Sequence, residues 1–443
     1  MSAPVLSDPR GLAVTAAGVD SVAALEAAIM AYGAFRIDTA DRLKAALTAD
    51  PNLVMGHILH GYLLLLQVKR ELLPTALHAA EAADVAMQVA GATPRERLHR
   101  RALGFWIARD LEATSATFEA ILAADPCDLI ALKLGQYVLF YLGAWERMHD
   151  LVARAMPAWD DTMPGYGFAL GCHAFGLEEN GVYDEAERAG RRAVALIPDD
   201  IWGAHAVAHV FEMQDRAAEG LGWIEARAPA WRDTGNFRFH GYWHRCLFLL
   251  AAGRADEVLD HYDREVRPEP NDEYLDATNA VSLLWRLEQH GVDVGPRWRE
   301  LAVRAAARID DHMIAFGNVH DAMALAAAGQ PDDVARWIRS GEAYAALGTE
   351  TQCAVMRVVG LALGEAAQAH RQGKFARAVE LLLPLRHEIR RIGGSHAQRD
   401  VFAQLLIDAA LKARQFDTAR MLVSERLAMR PRNSWALGLS PID

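Results

Sequence analysis

Gly181-Val-Tyr-Asp-Glu-Ala186, with Pro198 twelve residues beyond its alanine, is the stretch on which the fold turns. A glycine ends one helix and a small residue five positions later packs the next. A proline then stops that second helix, because its ring clashes with the preceding turn and it has no N–H to donate. The same mark recurs at Gly253 to Val258, Gly329 to Val334 and Gly373 to Ala378, and more loosely at Gly143 to Met148 and Arg414 to Ala419. Pro270 and Pro431 hold the place of Pro198 in their units, and Asp50-Pro51 and Asp125-Pro126 stop helices earlier in the chain.

The spacing of the marks sets the architecture. They fall 38 residues apart from Gly143 to Gly181, then 72 and 76, then 44 and 41, with Gly291 at the midpoint of the 76-residue interval. Alanine and leucine dominate between them, and apolar residues return every three or four positions with little β-branched alternation. Two helices, a glycine turn and a closing proline, repeated every 34 to 44 residues or so, form a tetratricopeptide pattern. One hairpin cannot bury its own apolar face, so neighbours must stack. The expected fold is all-α, a tetratricopeptide-like right-handed α-solenoid of stacked helix hairpins, about ten to eleven in number. The expected limits are an N-terminal extension at 1–20 forming an extended lead-in, a continuous array at 21–430 and a C-terminal tail at 431–443.

Composition narrows the function. The 443 residues carry a formal charge of −12, dispersed along the chain, which argues against nucleic acid and anionic membrane surfaces as partners. No apolar run approaches the length of a membrane span. Met1 to Arg10 lacks a basic segment followed by an apolar one, so no secretory signal is read there. Cys127, Cys172, Cys246 and Cys353 lie far apart without a Cys-x-x-Cys pair, which fits a reducing cytoplasm better than a disulfide framework. Phosphate loops, dinucleotide fingerprints and nucleophile elbows are absent from the sequence.

Histidine supplies the chemistry. His205-Ala-Val-Ala-His209-Val-Phe-Glu212 sets two imidazoles and a carboxylate on one stripe of a helix, and His240-Gly-Tyr-Trp-His244 repeats the four-residue spacing on the next first helix. Counted back from the marks, with Asp215 taking the mark's place in its repeat, His173, His205, His244 and His320 lie 8 to 10 residues upstream, so they are expected in one column on neighbouring helices. His312 is read onto a first helix as well, and Trp243 is read as a pocket wall beside its default role in packing. His205, His209, Glu212, His240 and His244 together offer the donor types of a divalent metal site. Histidines can equally serve as general acid and base, or do no more than hydrogen-bond one another inside a repeat array. The pattern is not His-Glu-x-x-His, so a zincin is not indicated.

A second constellation is Gly393-Gly-Ser-His-Ala-Gln-Arg-Asp400. Ser395 and Gln398 match a capping box, which accounts for both. Arg399 and Asp400 are opposite charges in the first helical turn, where a helix N-terminus can also hold an anion.

The segments Ala204 to Met213, His240 to His244, Leu283 to Glu288 and Gly393 to Phe402 resemble the tetratricopeptide repeat protein 38 family, also called StaR-like, over about residue 20 to the end. The resemblance implies an all-α repeat protein and brings no settled activity. It carries over to His205, His209, Glu212, His240, His244, His312, His320, Gln398, Arg399 and Asp400, and not to His57, His60 or His173. Where the family reads Phe-Asn-Asp-Ala-His, this chain has Phe316-Gly-Asn-Val-His320, so a role for Asn318 does not carry over. The reading that results is a binding protein holding a small molecule or peptide end in a His-rich concave pocket. Its ligand contacts are His205, His209, Glu212, His240, Trp243, His244, His312, His320, Arg399 and Asp400. Two alternatives stand beside it: a metal-dependent or His acid/base enzyme of hydrolase or lyase type using the same pocket, and a scaffold that docks a protein partner. The cofactor stays unassigned, with a divalent metal as one that the pattern admits, and no residue is assigned a catalytic role.

Overall fold

The computed structural model describes residues 3–439. The chain packs as two compact units, one made of Met1–Val207 with Pro229–Phe237 and the other of Ala208–Ala228 with Arg238–Asp443. The fold is an all-α helical-repeat solenoid, and each unit is a stack of helix hairpins.

In the first unit the hairpins are α1 (Val19–Gly33) with α2 (Thr39–Ala49), α3 (Val54–Leu65) with α4 (Leu73–Ala90), and α5 (Pro94–Ile107) with α6 (Leu111–Ala124). They continue as α7 (Leu129–Tyr141) with α8 (Trp145–Ala155) and α9 (Tyr166–Glu179) with α10 (Tyr183–Leu196). Helix α11 (Ile201–Met213) gives its first half to this unit and its second half to the other. The second unit continues with α12 (Ala217–Arg227), α13 (Phe237–Ala251) with α14 (Ala255–His261), α15 (Tyr274–Gln289) with α16 (Arg297–Ala307), and α17 (Ala315–Ala327) with α18 (Pro331–Leu347). Next come α19 (Thr351–Val355), a π-helical turn at Met356–Gly360, and α20 (Leu361–Arg371), paired with α21 (Phe375–Leu382). The stack closes with α22 (His396–Lys412), α23 (Phe416–Met429) and a short α24 (Ser434–Leu439). That makes eleven hairpins among the described residues.

The marks read from the sequence are the turns of these hairpins. Gly143, Gly181, Gly253, Gly291, Gly329 and Gly373 all sit at φ between +65° and +78°, the left-handed conformation that glycine enters without a Cβ penalty. At Gly181 its N–H bonds the Glu178 carbonyl at 2.9 Å and the Val182 N–H reaches the Leu177 carbonyl at 3.0 Å. These reciprocal bonds satisfy two carbonyls that the ended helix α9 would otherwise leave open. The remaining hairpins put Phe35, Val68, Arg109, Asp215 and Arg414 in the same place, at φ between +55° and +64°. Five positions beyond their marks, Met148, Ala186, Val258, Val334, Ala378 and Ala419 are completely buried, whereas Pro296, five beyond Gly291, is exposed. At Gly220, five beyond Asp215, an added Cβ would come within 2.5 Å of the Phe248 ring, so this position admits nothing larger.

The N-terminal stretch holds structure that its composition did not announce. Val5–Ser7 and Ala13–Thr15 pair as an antiparallel two-stranded ribbon, and Asp8, Arg10 and Thr15 are buried. Of the C-terminal tail, Ser434–Leu439 is helical, and residues 440–443, with Pro441, lie outside the described residues. No described helix is long and apolar enough to cross a membrane, and the four cysteines are free and buried.

Candidate functional site

Successive first helices of the second unit place matching repeat positions side by side. His240 on α13 meets Asn279 on α15 with Nδ1 3.0 Å from Oδ1, and the Trp243 indole N–H donates to Ser282 Oγ at 3.1 Å, both pairs 39 residues apart. This is the one-repeat offset that the spacing of the marks implies.

Three imidazoles converge here. His209 from the second half of α11 and His240 and His244 from α13 are buried to 3 % exposure or less, and their candidate ligand nitrogens lie within 4.8 Å of one another. His244 stands edge-on to both other rings, at centroid distances of 4.5 Å to His209 and 4.9 Å to His240. His240 stacks on Trp243 at 5.1 Å. Burial pushes the His240 pKa down to about 4 against the opposing hydrogen bond from Asn279. His244 goes well below the usual range, first by burial and then by the neighbouring His209, His240 and Arg286. At neutral pH both rings are uncharged.

Glu212, one turn beyond His209, has other company. Its backbone carbonyl and Oε1 accept from Arg430 at 2.6 and 3.3 Å, and Arg430 also donates to Asp215 Oδ1 at 2.6 Å. The carboxylate therefore faces a charged lattice instead of completing a donor set of two histidines and one carboxylate. In that lattice Asn433 donates to Asp215 at 3.0 Å and accepts from Arg426 Nε at 2.9 Å. Arg426 grips Asp400 through both terminal nitrogens, and Gln404 donates to the same carboxylate at 2.7 Å. Burial would raise Asp400, but Arg426, Arg430 and Arg286 outweigh it and hold the carboxyl far below the usual range. Glu212 is raised, by burial above all and against the pull of Arg430.

Arg286 differs from the other guanidinium groups. It is 3 % exposed, and its two terminal nitrogens donate to the Ser282 carbonyl at 3.1 Å and the Ala397 carbonyl at 2.8 Å. Burial lowers its pKa to about 10, with Asp400 and Glu212 in partial compensation. Arg286, Arg426, Arg430, Glu212 and Asp400 line a cavity of about 40 Å³, room for little more than one water. A larger cavity of about 310 Å³ adjoins the same group. Arg399, Asp400, Arg426 and Arg430 are among its polar lining, and Met213, Leu406, Ile407 and Leu422 are among its apolar lining.

The other predicted residues have contacts of their own. His205 belongs to the first unit and packs against Trp202, Phe175 and Phe237 at centroid distances of 5.2, 5.6 and 5.1 Å. His173, half-buried in the same unit, lies against His149. His312 is not on a first helix: α16 ends at Ala307, so His312 falls in the turn before α17 at φ +43°, stacked on Tyr344 and hydrogen-bonded to Ser340. His320 donates Nδ1–H to the Phe316 carbonyl at 2.8 Å and packs edge-on to Phe402. Its Nε2 has no hydrogen-bond partner among the described residues, and burial lowers its pKa to about 4. The capping box at Ser395 and Gln398 is formed in both directions, and Arg399 folds back onto the Gly394 carbonyl.

Sequence reasoning passed over Asn279, Arg286, Arg426, Arg430 and Asn433, and took Asp215 only as a repeat mark. Arg286 had a signal: a single charge inside the apolar run Leu283-Leu-Trp-Arg-Leu287. Arg430 and Asn433 flank the last repeat proline and look like solvated tail residues until the fold brings them 218 residues back to Glu212 and Asp215.

No family model matches the chain. Among solved structures, one described as Naa15/Naa10 bound to HypK-THB is similar over 91 % of this chain, at 14 % identity and a TM-score of 0.28. The chain spans 62 % of the length of the chain it matches there.

Proposed function

We propose that this helical-repeat protein is a binding protein that holds a small molecule or a peptide end in its second unit, and that a carboxylate is the group recognised. The observation that carries the reading is the 310 Å³ cavity. Its lining includes Arg386, Arg390, Arg399, Arg426 and Arg430 against Asp400 and Glu425, an excess of three formal positive charges in a chain whose own charge is −12. The volume falls at the lower end of the range for ligand pockets, and the mix of apolar wall and convergent cations suits an organic anion with a hydrocarbon part. Of the residues singled out from the sequence, Arg399 and Asp400 line this cavity and Glu212 lines its smaller neighbour. Membership of the tetratricopeptide repeat protein 38 family, and the cytoplasm as the compartment, belong to the same proposal. They rest on the shared strings and on the four free thiols.

Acid and base catalysis by the buried histidines gains less support, because proton transfer at neutral pH is served best by a pKa near 7 and His240 lies near 4. Anilinonaphthalene sulfonate, itself an amphipathic anion, tests the binding reading by fluorescence titration with decanoate as competitor. One saturable site that decanoate displaces, and that Leu406→Glu abolishes with folding intact, is the expected result. Unsaturable dye binding, or binding indifferent to that substitution, would refute it. A free but not an amidated peptide C-terminus competing for the dye would favour the peptide end, whereas docking of a partner protein along the hairpins would leave dye and decanoate without a site.

A further inference from the structure

We infer that His209, His240 and His244 form a binding site for a late first-row divalent cation, with zinc as the best fit. The site is separate from the charged cavity and does not depend on the binding reading above.

Three features carry the inference. The donors come from two neighbouring first helices and meet at one point: all three rings are buried, and their nitrogens lie within 4.8 Å of one another. Zinc–imidazole bonds of about 2.0–2.1 Å require nitrogens roughly 3.3 Å apart in a tetrahedral set. Small rotations of side chains already this close supply the difference. Ring centroids around such an ion would be about 5 Å apart, and the observed separations are 4.5 and 4.9 Å.

The second feature is the outer support. Histidine ligands characteristically donate their other ring N–H to a fixed acceptor, which sets tautomer and orientation. His240 does this: Nδ1–H donates to Asn279 Oδ1 at 3.0 Å. Its ring is also clamped on one face by Trp243, and that indole is tied to Ser282. The third feature is the donor type. Uncharged imidazoles suit zinc, cobalt, nickel or copper, whereas calcium and magnesium take oxygen ligands. Three nitrogens leave at least one coordination position for water or an anion.

Arg286 is a counterweight, since its guanidinium lies 5.7 Å from the Trp243 ring and its charge acts on His244. That gives the site a signature of its own: removing this charge should strengthen cation binding, whereas a merely structural cluster of rings would not respond.

The test uses full-length protein made without a histidine tag, stripped with chelator and titrated with Co²⁺, with metal content measured in parallel. One ion per chain and intense visible bands of four-coordinate cobalt are expected, with zinc displacing the cobalt. His244→Gln should abolish the bands, Asn279→Leu should weaken binding about 10- to 100-fold, and Arg286→Met should tighten it several-fold. His57→Gln with His60→Gln, which changes solvent-accessible histidines elsewhere, should leave the titration unaltered. Circular dichroism reports whether each variant folds. If His244→Gln does not fold, His240→Gln and Asn279→Leu decide the matter. Failure of the unaltered protein to bind cobalt or zinc, or bands that survive both His240→Gln and His244→Gln, overturns the assignment. Either outcome leaves the decanoate experiment unaffected.

Discussion

The two units bury ionic groups in different ways. In the first, Arg10 is sandwiched between Asp8 at 2.8 Å and Glu26 at 2.6 Å, and Asp128 receives Arg95 Nε at 2.6 Å and His99 Nε2 at 2.7 Å while capping α7 through the Ala131 N–H. Glu96 closes a capping box with Thr93 and also takes both the N–H and the hydroxyl of Thr15. These bonds staple the N-terminal ribbon to α1 and α5. Even the isolated cation Lys133 is enclosed, over the rings of Phe35, Trp202, Phe168 and Tyr32 and donating to the Gly33 carbonyl. In the second unit Arg426 and Arg430 are paired with carboxylates, but the hydrogen bonds of Arg286 among the described residues go to carbonyls, and it stands beside a cavity. The same residue types close one region and leave the other with charge still to be answered, and the second condition is the one a ligand can exploit.

The sharpest way to break this contrast is Asp128→Asn. Asp128 is completely buried, and Arg95 with His99 holds its carboxyl far below the usual range against the opposing effect of burial. Removing the negative charge strands a buried guanidinium, which costs about 3–5 kcal/mol. Urea unfolding followed by tryptophan fluorescence measures the loss. A change under 1 kcal/mol would mean that the first unit is not held by its ionic staples.

Acid distinguishes the second unit next. His320 has a folded pKa near 4, below its ordinary 6.5. Above pH 6.5 both states are neutral and nothing changes. Between pH 6.5 and 4 only the unfolded chain takes up the proton, so stability falls with pH by about 1.4 kcal/mol per unit, in total about 3 kcal/mol. Asp321, raised to about 6 by burial in spite of Arg304, acts in the opposite sense between pH 6 and 3.8. The prediction is therefore a difference: His320→Gln loses less stability between pH 7 and 4.5 than the unaltered protein does. Parallel pH profiles would show that this imidazole does not couple to folding.

Legibility in the sequence followed the range of the interaction. Glycine marks, closing prolines and the Ser395 box are local events, each decided within a turn or two of chain, and each could be read directly. Five hairpin turns, at Phe35, Val68, Arg109, Asp215 and Arg414, hold a conformation that residue preference alone would assign to glycine, and the first three were hidden for that reason. Arg414 was nevertheless found from its spacing, and Asp215 by standing where a mark was due. Helical stripes put His240 and His244 on one face correctly, whereas His312 was misplaced because the first helix it was assigned to, α17, starts only at Ala315. The lattice joining Glu212 and Asp215 to Arg430 and Asn433 spans more than 200 residues, and no periodicity within one repeat encodes it.

The left-handed turns give the finest test, because two of them share a backbone conformation and differ in what their side chains do. Asp215 at φ +55° accepts from Arg430 at 2.6 Å and Asn433 at 3.0 Å, whereas Arg414, at φ +59°, bonds Leu411 through its backbone N–H and makes no side-chain hydrogen bond among the described residues. If conformation alone mattered, glycine would help at both. Glycine relieves the Cβ penalty of the left-handed region but gives the unfolded chain more entropy to lose. At Arg414 the balance favours glycine, and Arg414→Gly should stabilise by a few tenths to about 1 kcal/mol. At Asp215 the same change removes charge-assisted bonds to a buried guanidinium, and Asp215→Gly should cost about 1–3 kcal/mol. Opposite signs in paired denaturation curves would establish that Asp215 took the glycine's place for its carboxylate. Equal gains would reduce the Arg430 lattice to incidental contacts and remove one wall of the proposed pocket.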